Sequence, residues 1–369
     1  MTLTNYWWLL IWVFVGGGFL AVTFPKTNEV VLGKRKICWS VPAAILLVIP
    51  YIVWAGFRTD YFGDTGAYRK AFLDAPSRLG QLPEYLTTIT KDKGFSVLTV
   101  LLKCIIGNSD TIFFLLLAAF QLCCIVWVCR RYSCNYWMSI FLFIASTEYI
   151  GWMHNGIRQF IAITLIFAAT DLLVEKKYLP MIGVIIIAAT FHASALFMIP
   201  VIFIVQGRAW NKKTIVCILA CILALFFVDQ FTDILDSALS STQYSGMVTD
   251  WQEWEDDGTN PIRVFIYSIP MLLSIVGYKY IKYEEDPLVH IATNFSVLTC
   301  GIALISMVTS GIFLGRMIEY ASIYSLLLLL PWEVENFFTP KSSQMVSGVM
   351  IVGYIAFFYY QMHFSWGLL

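Results

Sequence analysis

Two short polar clusters interrupt an almost unbroken series of apolar segments: Asn155-Gly156-Ile157-Arg158-Gln159 and, about 35 residues later, Phe191-His192-Ala193-Ser194. An arginine at the centre of a bilayer costs roughly 2.5 to 3.5 kcal/mol, so its presence there points to a function. Its planar fork makes bidentate, charge-assisted hydrogen bonds to phosphate and stays ionised when partly buried. Arg158 opens an apolar helix, where the positive dipole end adds to the attraction for an anion. Arg316 holds a comparable place after Gly311 and Gly315. Together the two arginines suit a diphosphate. His192 suits proton transfer from an attacking hydroxyl, since an imidazole titrates near pH 6.5. Two readings of His192 stand at this point: that base, or a ring hydrogen-bonded inside a helix bundle. Arg58, Arg69 and Arg263 divide in the same way between substrate contact and snorkelling to the interface.

Asp60, Asp64 and Tyr68 follow Arg58 on a polar segment. The Asp-x3-Asp spacing is a weak metal signal, because Mg²⁺ needs carboxylates and phosphates in tight octahedral geometry. No metal and no cofactor are expected. The carboxylates suit sugar hydroxyls equally with pairing to Arg58 and Arg69. His154, beside Trp152, reads as a ring satisfied within the bundle. The nine cysteines fall mostly inside apolar runs with no Cys-x-x-Cys spacing, so neither a disulfide framework nor a metal site is expected.

The elements that must position these groups are membrane helices. The 369 residues are 59% hydrophobic and only 13% charged, with a mean hydropathy of +0.73, which excludes a soluble enzyme of this length. Zero net charge gives no footing for a nucleic-acid partner. Segments able to span run approximately 6–24, 38–54, 111–129, 136–152, 157–174, 178–190, 193–205, 214–228, 262–281, 288–308, 312–331 and 345–363, about twelve in all. The first has no basic stretch before it and no small-residue cleavage signal, so it reads as a retained helix. The fold expected is an all-α polytopic membrane protein, with 1–369 forming a single integral membrane domain.

Basic residues in the short loops set the orientation. Lys34-Arg35-Lys36, Arg130-Arg131, Lys176-Lys177, Arg208 with Lys212-Lys213, Lys279 with Lys282, and Lys341 are expected on the cytoplasmic side, and both termini outside. This alternation requires 94–106 to be a re-entrant or interfacial helix on the outer side. Two outer loops result, 58–93 and the acidic 229–261. The second carries Trp251 and Trp254 and suits either sugar stacking or a solvated cover. The outer helix ends then collect Arg58, Asp60, Asp64, Tyr68, Arg69, Asp92, Lys93, His154, Arg158, His192, Arg263, Arg316 and Glu319. No nucleotide motif accompanies them, and a site outside the cytoplasm has no ATP supply. Its donor must already be activated and lipid-borne.

An ordered series of motifs resembles the EpsG family of bacterial exopolysaccharide membrane proteins and, more broadly, Wzy-type polymerases of O-antigen or capsule repeat units. The series is Arg58-x-Asp60-x3-Asp64-x3-Tyr68-x3-Phe72, Asp92-x-Gly94-Phe95-x2-Leu98, Arg158-Gln159-x-Ile161-Ala162, His192-x-Ser194-Ala195-Leu196 and Gly315-Arg316-x2-Glu319-Tyr320. Asp92-Lys93 stands where the family often has Glu-Pro. The resemblance implies a GT-C-like, all-helical glycosyltransferase in the bacterial cytoplasmic (inner) membrane. It would join undecaprenyl-diphosphate-linked oligosaccharide repeat units at the outer face, without a metal and with inversion. Its partners would be that lipid-linked oligosaccharide, membrane lipids and a chain-length regulator protein. The implied catalytic residues are His192, Arg158 and Arg316, and the implied substrate contacts are Arg58, Asp60, Asp64, Tyr68, Lys93, Glu319 and Arg263. Two alternatives stand beside the polymerase: an O-antigen ligase-type transferase, and a flippase for the same lipid-linked oligosaccharide. These expectations assign no role to Asp92.

Overall fold

Long apolar runs fold as helices here because a helix satisfies its own backbone polar groups where no water can. The structure is a computed structural model that describes residues 6–239 apart from 61, then 259–309 and 314–367. It is 78% helical, an all-α membrane protein. Among the described residues, four helices, Asp110–Tyr132, Pro287–Ser306, Leu314–Asn336 and Pro340–Ser365, are long and apolar enough to cross a membrane, and shorter apolar helices accompany them.

The chain forms two compact units, the first comprising residues 1–196 and 344–369 and the second 197–343. In the first, α1 (Trp7–Thr23) leads into a hairpin of β1 (Thr27–Val31) and β2 (Lys34–Cys38), then α2 (Val41–Gly56), α3 (Thr65–Asp74), α4 (Leu82–Thr88) and α5 (Lys93–Ile106). There follow α6 (Asp110–Tyr132), α7 (Tyr136–Ala145), α8 (Glu148–His154), α9 (Ile157–Ala168), α10 (Thr170–Val174) and α11 (Tyr178–Phe191). The second unit holds α12 (Met198–Ile204), α13 (Lys212–Phe226), α14 (Val228–Leu239), α15 (Pro261–Val276), α16 (Tyr278–Ile281), α17 (Pro287–Ser306), α18 (Leu314–Tyr324) and α19 (Leu330–Asn336). The last helix is α20 (Pro340–Tyr360), and π-helical turns occupy Ser325–Leu329 and Gln361–Ser365.

Among the described residues, each of the predicted spans falls on helix, but several are broken. The run 136–152 divides into α7 and α8 because Thr147 adopts φ +63°. The run 157–174 divides at Ala169 into α9 and α10. Periodicity does not report such breaks, since they leave the apolar composition unchanged. A two-stranded β-hairpin accompanies the helices, and residues 58–93 contain α3 and α4. Of the acidic segment 229–261, the first part is α14; Trp251, Glu253, Trp254, Glu255, Asp256 and Asp257 lie outside the described residues, as does Gly311.

In the first unit α6 acts as a ruler. Its 23 residues extend about 34 Å at 1.5 Å each, close to the thickness of a bilayer core. At its C-terminal end Arg130 makes a two-pronged pair with Glu29 (2.6 and 2.8 Å), Arg131 pairs with Asp171 (3.0 Å), and Lys36 donates to Tyr132 O. At its N-terminal end Asp110 accepts from Arg69 Nε at 2.5 Å. Lys36, Arg130 and Arg131 therefore gather at one end of α6, and Arg69 with its neighbours gathers at the other.

α5 is 14 residues, about 21 Å, too short for a bilayer core of roughly 30 Å. Its inward stripe is Phe95, Thr99, Val100 and Lys103, the spacing of one helical face. Phe95 joins Phe72, Phe113, Phe114, Leu117, Ile157 and Ile161 in a buried core. Lys103, 3% exposed, donates to Leu73 O (2.5 Å) and Ala75 O (2.6 Å), satisfying carbonyls at the end of α3.

Candidate functional site

The site of the first unit is built where α3, α5, α9 and the end of α11 meet. Gly156 caps α9, and a Cβ there would overlap the Trp152 ring. Gly63, at φ +56°, lets the segment before α3 approach Asn155 to within 2.9 Å of an added Cβ. Gly94 likewise permits a close approach, since a Cβ would overlap Thr190 Oγ1 and fall 2.9 Å from the Thr190 carbonyl carbon. Only glycine brings the start of α5 this close to the end of α11.

That approach places Asp92 between the two polar clusters. Asp92 adopts a left-handed φ of +54°, a conformation aspartate tolerates better than most residues. Its Oδ2 accepts from Arg158 Nη1 at 2.6 Å, while its side chain is only 4% exposed. The N–H of Ala193, the residue after His192, also reaches this carboxylate. Burial pushes the Asp92 carboxyl above its ordinary value, against the opposing pull of Arg158, Lys91 and the Ala193 N–H. Asp92 is the residue that sequence reasoning missed. The signal was there in the acidic-x-Gly-Phe spacing, but its partner lies 66 positions away.

Arg158 also hydrogen-bonds Tyr68, lies over the Tyr68 ring at 5.8 Å, and feels the charge of Asp64. Its side chain is 32% exposed and borders a pocket of about 380 Å³. Phe72, Phe95 and Phe113 form an aromatic wall of that pocket. Hydroxyls come from Tyr68, Tyr85, Thr88, Thr90, Ser96 and Thr99, and charges from Asp64, Lys91 and Arg158. An aromatic wall with dispersed hydroxyls and a cation at its rim suits a polyhydroxylated ring that carries an anionic group.

His192 closes α11 in extended backbone (φ −158°, ψ +120°) and is buried. Its Nδ1 lies 2.6 Å from Ser194 Oγ, which fixes the ring's orientation. His154 is 1% exposed and bonded through Nδ1 to Ile150 O at 2.8 Å, while its buried Nε2 has no hydrogen-bond partner among the described residues, so the ring is only half satisfied within the bundle.

The other expected contacts separate. Arg58 is 6% exposed; it donates to Ala55 O (2.5 Å) and Met153 O (2.8 Å) and stacks on Phe114, tying α2 to α8. Burial and the neighbouring Arg69 push it down to about 9, still high enough to keep its charge at neutral pH. Asp60 pairs with Arg69, one of the two uses open to it in the sequence. Lys93 is exposed and does not line the pocket, whereas Lys91 does.

The second unit holds its own polar cluster. Glu319 is fully buried on α18; its Oε1 accepts from Tyr267 Oη at 2.7 Å and its Oε2 from Ser322 Oγ at 3.2 Å. Arg263 Nη2 donates to Tyr267 Oη at 3.3 Å, so Tyr267 links two predicted residues and is itself unpredicted. Arg316 is half-buried one turn before Glu319, and an added Cβ at Gly315 would lie 3.3 Å from Thr259 Oγ1.

No curated protein and no solved structure matches this chain. A family model described as the EpsG family matches residues 43–367, a range that takes in both clusters. The motif order, the all-helical fold and this match agree, and the chain belongs to the EpsG family, membrane proteins of polysaccharide synthesis.

Proposed function

We propose that the protein polymerises undecaprenyl-diphosphate-linked oligosaccharide repeat units at the outer face of the bacterial cytoplasmic membrane, in O-antigen, capsule or exopolysaccharide synthesis. The observation that carries this reading is Arg158, oriented by Asp92 at the start of α9 and at the rim of an aromatic and hydroxyl-lined pocket. Lys36, Arg130 and Arg131 cluster at the opposite end of α6, which supports an outer location for the pocket under the positive-inside rule. In this reading about twelve segments cross in a GT-C-like arrangement, and α5 is re-entrant or interfacial.

A hydroxyl of one lipid-linked unit attacks the anomeric carbon of the chain on the other lipid. The new glycosidic C–O bond forms on the face opposite the departing diphosphate, with inversion. The old bond breaks with its electron pair on the phosphate oxygen. Arg158 stabilises that charge, and His192, oriented by Ser194, takes the hydroxyl proton. Asp64 and Tyr68 position sugar hydroxyls in the pocket. Arg316, Arg263 and Glu319 are assigned to phosphate and sugar recognition at the second unit's own cluster. No metal takes part, and a chain-length regulator is the partner protein.

The test is purified protein with a defined lipid-linked repeat unit, run with and without a chelator. Products longer than one repeat, unaffected by chelation, support the reading. Transfer to a different acceptor indicates a ligase, and transbilayer movement without new linkage indicates a flippase; either overturns it.

A further inference from the structure

The hairpin of β1 and β2 has two unlike faces. Its register pairs Glu29 with Lys36 and Thr27 with Cys38 on one side, and Val30 with Arg35 and Asn28 with Ile37 on the other. The first face is fastened to the C-terminal end of α6 through the Glu29–Arg130 pair and the Lys36 bond to Tyr132 O. The second face is uncovered: Val30 is 67% and Ile37 73% exposed, and Arg35 stands beside them. Leu32 and Gly33 turn the hairpin at φ +51° and +75°, presenting Lys34 at the tip. The only acid between residues 25 and 39 is Glu29, and Arg130 already neutralises it. Arg35 thus makes the uncovered face cationic, with the exposed Lys34 at the adjoining tip and the exposed Lys26 just before β1.

Position selects the occupant. Apolar α1 ends at Thr23 and apolar α2 begins at Val41, each within a few residues of the hairpin, so with both helices crossing, as in the reading proposed above, it lies at a membrane surface. Two aliphatic side chains flanked by cations match the boundary between acyl chains and anionic headgroups. We propose that this face docks on anionic phospholipids of the leaflet where α1 and α2 emerge, and so anchors the basic end of α6. Each basic residue near such a surface favours contact roughly fivefold.

Hydrogen exchange of the full chain tests this in discs of phosphatidylcholine alone and of phosphatidylcholine with phosphatidylglycerol. Amides of residues 27–38 are expected to exchange roughly fivefold or more slowly in the anionic discs, with the difference shrinking at high salt. The Lys34→Gln, Arg35→Gln double variant is expected to lose that difference while the Glu29–Arg130 anchor keeps the hairpin folded. Equal exchange in both discs overturns the proposal, and so does a lipid preference that survives in the variant. Protection found in native membranes but in neither disc points to a protein partner and also overturns it.

Discussion

Arg158 and Asp92 show how a buried pair prepares a site for a ligand more highly charged than itself. The carboxylate orients the fork at 2.6 Å and Tyr68 takes a further bond, yet a guanidinium has five N–H groups, which leaves others for phosphate. Arg158→Ala is expected to lower polymer formation on the order of 100- to 1000-fold in the purified system, the usual effect of removing one electrostatic contact to a developing charge. Arg158→Lys keeps the charge but not the fork, and is expected to recover only part of that loss. Asp92 is expected to shape the pH profile. Because burial raises its pKa, acidification neutralises it before ordinary carboxylates titrate, and Arg158 loses its orienting partner. The acid limb of activity is therefore expected above the usual carboxylate range and is expected to vanish in Asp92→Asn. The sign for stability is opposite: the folded state holds the proton more tightly, so stability declines as pH rises from the unfolded toward the folded pKa.

At the level of elements, α5 is a strut with two fixed ends. Lys103 satisfies carbonyls at the end of α3, and Lys103→Ala leaves one buried and one part-buried acceptor without it. The midpoint of thermal unfolding in detergent is expected to fall by the equivalent of about 1 to 3 kcal/mol. At the other end Gly94→Ala drives a methyl group into Thr190, including its backbone. Overpacking of this kind costs about 1 to 3 kcal/mol, and the displaced start of α5 carries Asp92 with it, so activity is expected to fall together with stability. Glycine, left-handed aspartate and buried lysine break the apolar pattern of α5 at its ends, where the strut is joined to its neighbours.

For the molecule as a whole, the length of α6 separates a basic end from a reactive end by about 34 Å. This converts the orientation into a labelling experiment. In a background without other cysteines, Lys91→Cys is expected to react with an impermeant thiol reagent in intact cells, and Cys134 only after the membrane is permeabilised. The reverse pattern would place the pocket on the cytoplasmic side.

The sequence by itself determined that this is a helical membrane protein, roughly where its helices lie, and which residue types were too costly in an apolar setting to be idle. Composition and periodicity are local quantities, and burial of backbone in lipid leaves little choice but helix. Arg158 and His192 stood out as candidates for the same reason. Only the tertiary structure decided that Asp92 joins the two clusters, that Arg58 ties helices together, that Lys91 rather than Lys93 lines the pocket, and that Thr147 breaks a helix. Each of these depends on a long-range approach or a single backbone dihedral. Neither leaves a trace in hydropathy, because a close contact between distant segments changes geometry without changing composition.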